Sequence, residues 1–108
     1  MLPSKIKIGG YQYKINLKPQ KEIIVNDTVS RAAIHFEINE IDIQENLGHG
    51  RKLQTLFHEI QHGIDEFYRI NYKNIEEEEL AELLANTWCQ VLLDNPELLK
   101  FVQEVANE

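Results

Sequence analysis

At Gly48-His49-Gly50 the hydrophobic period of the chain changes from two to about 3.6, and this single switch divides the sequence into a strand half and a helix half. Before it, residues 5 to 17 alternate apolar and polar around Gly9-Gly10, the pattern of a β-hairpin whose glycines supply the positive φ of a tight turn. A short apolar run, Ile23-Ile24-Val25, leads to the turn-like Asn26-Asp27. Ile34, Phe36 and Ile38 then form one strand face, and Ile41 and Ile43 follow a break at Asn39-Glu40. After the switch, Leu53, Leu56, Phe57, Ile60, Ile64 and Phe67 make one apolar stripe, which predicts an amphipathic helix over 50–69. Asn74 and Glu77 form a capping-box pattern for a second helix running to Leu93, and Asn95-Pro96 opens a third. The expected fold is α+β: a small, mainly antiparallel sheet followed by three helices, in one domain over residues 1–108.

Charge and composition narrow the function. Eighteen acidic against eleven basic residues give a net charge of −7, which repels phosphate backbones and anionic membrane surfaces, so neither nucleic acid nor membrane is the expected partner. The opening MLPSKIKIGG has no apolar signal core, and no stretch reaches the ~18 apolar residues of a membrane span. Cys89 is the single cysteine and has no disulfide partner within the chain, as suits a reducing compartment. A cytoplasmic protein is the expectation, with Cys89 a small buried thiol on its helix.

The predicted first helix carries His58-Glu59-Ile60-Gln61-His62, an H-E-x-x-H pattern. Histidines at i and i+4 share a face, so their ring nitrogens can converge on one Zn²⁺ at about 2.0–2.1 Å. Glu59 stands beside them, placed to take a proton from the attacking water and pass it to the leaving amine. By helical angle both histidines lie opposite the stripe of Leu53, Ile60 and Ile64, on the polar side of the helix.

Zinc needs a third protein ligand, and a glutamate of the next helix is the candidate. Glu76 to Glu79 occupy a first turn, where the helix dipole favours carboxylates without any metal. Glu82 lies beyond that turn, on a stripe with Ala85, Asn86, Cys89 and Leu93 whose small residues would let it approach the histidine helix. Asn86 would then accept a hydrogen bond from a ligand histidine. Glu78 and Glu79 remain alternatives within one turn of Glu82. Asp65 is too far along the helix from His58, about 10 Å at 1.5 Å per residue, to share its ion. His35, His49, Tyr68 and Tyr72 read as solvated or amphipathic surface residues, with oxyanion stabilisation as the functional alternative.

The set His58-Glu59-x-x-His62 followed by Glu82-x-x-Ala85-Asn86 resembles the small phage- and prophage-associated zinc metallopeptidases related to the ImmA/IrrE group. Its ligand pattern also looks like that of the gluzincins. The segments IKIGGYQYKI, TLFHEIQHGID and EEEELAELLANTWCQVLLDNPEL extend the likeness over most of the chain. The resemblance implies a minimal zincin fold, zinc held by His58, His62 and Glu82, Glu59 as the catalytic base, and a protein or peptide substrate drawn from one or few partners. It also implies an edge strand, expected over 39–43, along which an extended substrate pairs. The alternative is a zinc-binding regulatory module of the same fold with little or no turnover.

Overall fold

The structure is a computed structural model describing residues 1–108. Strands β1 (Lys5–Ile8) and β2 (Tyr11–Lys18) form the expected hairpin, with Gly9 at φ 59° in its turn. A short 3₁₀ turn (Gln20–Glu22) leads to a two-stranded ribbon, β3 (Ile24–Val25) and β4 (Thr28–Val29). Asn26 and Asp27 close this ribbon at φ 50° and 63°, the left-handed pair that a tight hairpin turn needs and that these two residue types tolerate. Strands β5 (Ala32–His35) and β6 (Glu40–Gln44) complete the main sheet, in the order β1-β2-β6-β5.

The sheet is mixed. β1 with β2 and β5 with β6 are antiparallel, whereas β2 and β6 run parallel, with Ile15 opposite Ile41 and Leu17 opposite Ile43. Phe36 and Ile38 do not extend β5. They lie in the turn before β6 and are exposed, so the strand face inferred for them ends at Ile34.

Helices α1 (His49–Tyr68), α2 (Glu77–Asp94) and α3 (Pro96–Ala106) follow. Period-two alternation turns Ile6, Ile8, Tyr13, Ile15, Ile41 and Ile43 to one face of the sheet, and Leu56, Ile60 and Ile64 of α1 close over them. Val91 of α2 and Leu98 of α3 complete this core. Gly63 lets α1 lie low on the sheet, because a Cβ there would stand 2.6 Å from Cδ1 of Ile8. No helix is long and apolar enough to cross a membrane.

Two expectations at α2 are corrected. Its N-cap is Glu76 with no side-chain cap, so the Asn74–Glu77 box does not form; Glu77, Glu78 and Glu79 in the first turn place negative charge near the positive helix end. The stripe of Glu82, Ala85, Asn86, Cys89 and Leu93 faces solvent, and Cys89 is exposed. α2 meets α1 through Trp88, which packs edge-on against Phe57 and donates its indole N–H to Oε1 of Gln61 at 2.8 Å. Burying that large apolar surface outweighs the close approach that small residues would permit.

Asn95, between α2 and α3, is 7% exposed and closes the β1 edge of the sheet. Its Oδ1 accepts from the Lys7 backbone N–H at 2.8 Å, and its Nδ2 donates to the carbonyls of Lys7 at 2.8 Å and Val91 at 2.7 Å. One side-chain amide thus takes the place of a neighbouring strand at Lys7. Asn95→Ala strips partners from these sheltered backbone groups at about 1–3 kcal/mol for a group left unsatisfied. We expect it to lower unfolding free energy by roughly 2–4 kcal/mol in urea titrations. A loss below about 0.5 kcal/mol, the range of an ordinary surface change, would show that water replaces the amide.

Candidate metal centre and its groove

The amphipathic period of α1 buries Ile60 and Ile64 and thereby turns His58 and His62 outward, one turn apart. Their Nε2 atoms stand 3.2 Å from each other, with ring centroids 4.9 Å apart. Two ligands of a tetrahedral ion with bonds of about 2.0–2.1 Å are about 3.3 Å apart, so the pair has the bite of a zinc site. A direct N–H···N hydrogen bond has a similar length and requires one ring to carry its proton on Nε2.

Glu59 lies beside this pair and is 6% exposed. Burial pushes its carboxyl above the ordinary glutamate range, and the nearby His58, His62 and His35 pull it back without cancelling the effect. A carboxylate with raised basicity next to a solvent-facing pair of imidazoles is chemically equipped to accept a proton.

His58, Glu59 and His62 open into a groove of about 510 Å³. Gln54 and Thr55, one turn earlier on α1, continue its floor. Its other wall is Ala32, Ala33 and Ile34 of β5 with Phe36 beyond them, and Val25, Ser30 and Arg31 approach from the ribbon side. Of these, Gln54 and Thr55 had a signal in the sequence, four and three residues before His58 and so on its face. The rest come together only through the strand order.

The free edge at this groove is β5. β6, the strand expected to form the edge, lies between β2 and β5 with both sides paired, so it has no backbone groups to offer. In the β5–β6 ladder the Gln44 N–H donates to the Arg31 carbonyl at 2.8 Å. Alternation along an antiparallel pair then directs the N–H and C=O of Ala32 and Ile34 away from β6, toward the open edge. The opposite edge, β1, is occupied at Lys7 by Asn95.

Asp42 anchors β5 from the outer face of the sheet and is 4% exposed. It accepts from Nδ2 of Asn16 at 2.9 Å and Nζ of Lys18 at 3.2 Å, and pairs with Nε2 of His35 at 2.9 Å. His35 is therefore held, not free. Burial is the largest influence on the Asp42 carboxyl and pushes it up, but the bonds from Asn16, His35 and Lys18, with the Lys18 charge, together bring it below the ordinary range. A carboxyl lowered on folding stabilises the protein above its unfolded value, about pH 3.9, and loses that contribution as pH falls through its folded value. The stability gap between wild type and Asp42→Asn should accordingly be full at pH 6 and shrink below about pH 4. Urea midpoints from pH 6 to pH 3 measure it, and a gap constant over that range would remove the ionised Asp42 from the account.

The remaining candidates are distributed differently. Asp65 accepts from Nε2 of Gln61 at 2.9 Å and from the Tyr72 hydroxyl, and burial followed by this bond pushes the Tyr72 phenol up to about 12. Together with the Trp88–Gln61 bond this chain braces α2 and the 69–76 connection against α1. His49 pairs with Glu108 at the far end of α1, and Tyr68 packs on Phe67. Glu82 and Asn86 stand on the exposed face of α2. No three His, Cys, Asp or Glu side chains are placed so that they could hold one metal ion together, so Glu82 is not gathered with His58 and His62.

Comparison with protein families, curated proteins and solved structures finds no match to this chain.

Proposed function

We propose that this protein is a zinc-dependent metallopeptidase that hydrolyses peptide bonds in one or few protein substrates. The observation that carries the reading is the 3.2 Å convergence of His58 and His62 Nε2 beside the buried Glu59, at the floor of a groove bounded by an unpaired strand edge.

His58 and His62 would hold the ion through Nε2, and Glu82 is the assigned third ligand, on the resemblance of the sequence pattern. Bound zinc would polarise a carbonyl and make water acidic enough to lose a proton near neutral pH. Glu59 accepts that proton on its carboxylate and delivers it to the leaving amine nitrogen. Ala32 and Ile34 offer backbone N–H and C=O groups to an extended substrate, which positions a peptide bond along the groove. The substrate is a protein or peptide, in a cytoplasmic setting that suits the lone exposed thiol of Cys89.

A second reading is favoured by one observation, that only two ligand side chains converge. On it, the chain is a zinc-binding interaction module of the same fold with little turnover. Both readings require zinc to bind the folded state, which stabilises it by about 2.7 kcal/mol at a hundredfold excess over the dissociation constant. The melting temperature should fall on chelation and recover with zinc. An unchanged transition after verified metal removal would defeat both readings, while zinc stabilisation without cleavage of any protein substrate would favour the second.

A further inference from the structure

Arg31 stands at the head of β5 and lines the groove. Its backbone is fixed by the bond from Gln44, but its side chain is exposed and belongs to none of the ion pairs of the molecule. An unpaired guanidinium at this position is notable in a chain of net charge −7. The one carboxylate lining the groove, Glu59, is buried on its floor, so it does not neutralise Arg31 at the mouth. At the other end of the strand, Phe36 is 38% exposed and lines the same groove. The two ends are five residues apart and bracket β5, which sets at most about 17 Å between them at roughly 3.3 Å per extended residue, less the bend where Phe36 enters the turn.

We propose, resting on the peptidase reading above, that the groove selects an extended peptide segment with an acidic side chain at the Arg31 end and a large apolar side chain at the Phe36 end, about five residues apart. The free N–H and C=O groups of Ala32 and Ile34 lie between these poles and hold the backbone of any sequence. Selectivity must then come from the ends. Arg31 supplies it through a forked hydrogen bond to a carboxylate, and repels a cation in the same place. Phe36 supplies apolar contact area. A single guanidinium also falls short of the several cations that hold a phosphate backbone, which separates this occupant from a nucleic acid.

The test uses zinc-supplemented Glu59→Gln protein, in which hydrolysis of the probe should be at least ~10²-fold slower, and fluorescein-labelled nonapeptides of alanine and serine. One carries glutamate and phenylalanine five positions apart, and its counterpart carries lysine in place of the glutamate. Fluorescence anisotropy should give about tenfold tighter binding of the acidic peptide, near the effect of one charge-assisted hydrogen bond. Arg31→Glu should reverse the preference, Arg31→Gln should erase it, and Phe36→Ala should weaken both peptides. Circular dichroism of each variant verifies its fold. Equal binding of the two peptides, or an acidic preference that survives Arg31→Glu, overturns the charge assignment and leaves the peptidase reading standing. Binding of neither peptide overturns both.

Discussion

Glu59→Gln should lower the rate of peptide hydrolysis by at least ~10²-fold, the lower bound for losing a positioned general base, while zinc stays bound. The amide keeps the size of the carboxylate, so the packing around a side chain that is 6% exposed survives the change. What it loses is the capacity to accept a proton. The raised basicity of the native carboxyl, driven first by burial, is the property removed. Because zinc contact in this account belongs to the imidazoles, affinity for the ion should change little. A variant that retained wild-type turnover would eliminate the base assignment, and one that shed its zinc would make Glu59 a ligand. The two outcomes separate cleanly when cleavage of a substrate and zinc competition with a chromogenic chelator are measured on the same preparation.

His58→Ala and His62→Ala should each weaken zinc binding by more than the ~10–100-fold that follows loss of an outer hydrogen-bond partner. Each removes one of two nitrogens that already stand at a ligand's separation. Both side chains point to solvent from α1, so folding should survive in the absence of metal and the loss be local. Glu82→Gln is the informative companion. If the third position belongs to Glu82, as the sequence pattern implies, its affinity loss should exceed that of Glu78→Gln and Glu79→Gln, and Asn86→Ala should fall below it. If Glu82→Gln binds zinc as the wild type does, the third ligand lies elsewhere, in keeping with its exposed place on α2. Equal affinity of both histidine variants and wild type would reduce the 3.2 Å contact to a hydrogen bond between two surface rings.

The parts of this molecule that were legible in its sequence are those whose determinants lie within one element. Gly9-Gly10 between alternating residues gave the β1–β2 hairpin, and the 3.6-residue period after Gly48 gave α1 within one residue at each end. His58, Glu59 and His62 were legible for the same reason: a single helical turn fixes their mutual placement. Apart from the Asn74–Glu77 box, which fails within one turn because the N-cap falls on Glu76, the readings that failed depended on partners distant in the chain. The parallel pairing of β2 with β6 turns β5 into the edge strand, and nothing local to residues 39–43 records that neighbour. Asn95 reads as the residue before a helix-opening proline, but its side chain is spent on Lys7, 88 positions away. The inward stripe expected through Ala85 and Cys89 rests on residue size, whereas Trp88, by apolar area, decides which face of α2 turns inward. Arg31 and Phe36 carry no motif, and only the position of β5 beside α1 brings them to the histidines.

On the proposed reading His58 and His62 are the nucleus of a zinc site. Elemental analysis of protein purified without added metal tests it most directly. Wild-type protein should carry close to one zinc per chain, and the His58→Ala, His62→Ala double variant, verified as folded, should carry essentially none. Wild-type protein free of zinc that also fails to take it up from a chelator-buffered solution, or a double variant that holds as much zinc as wild type, would contradict it.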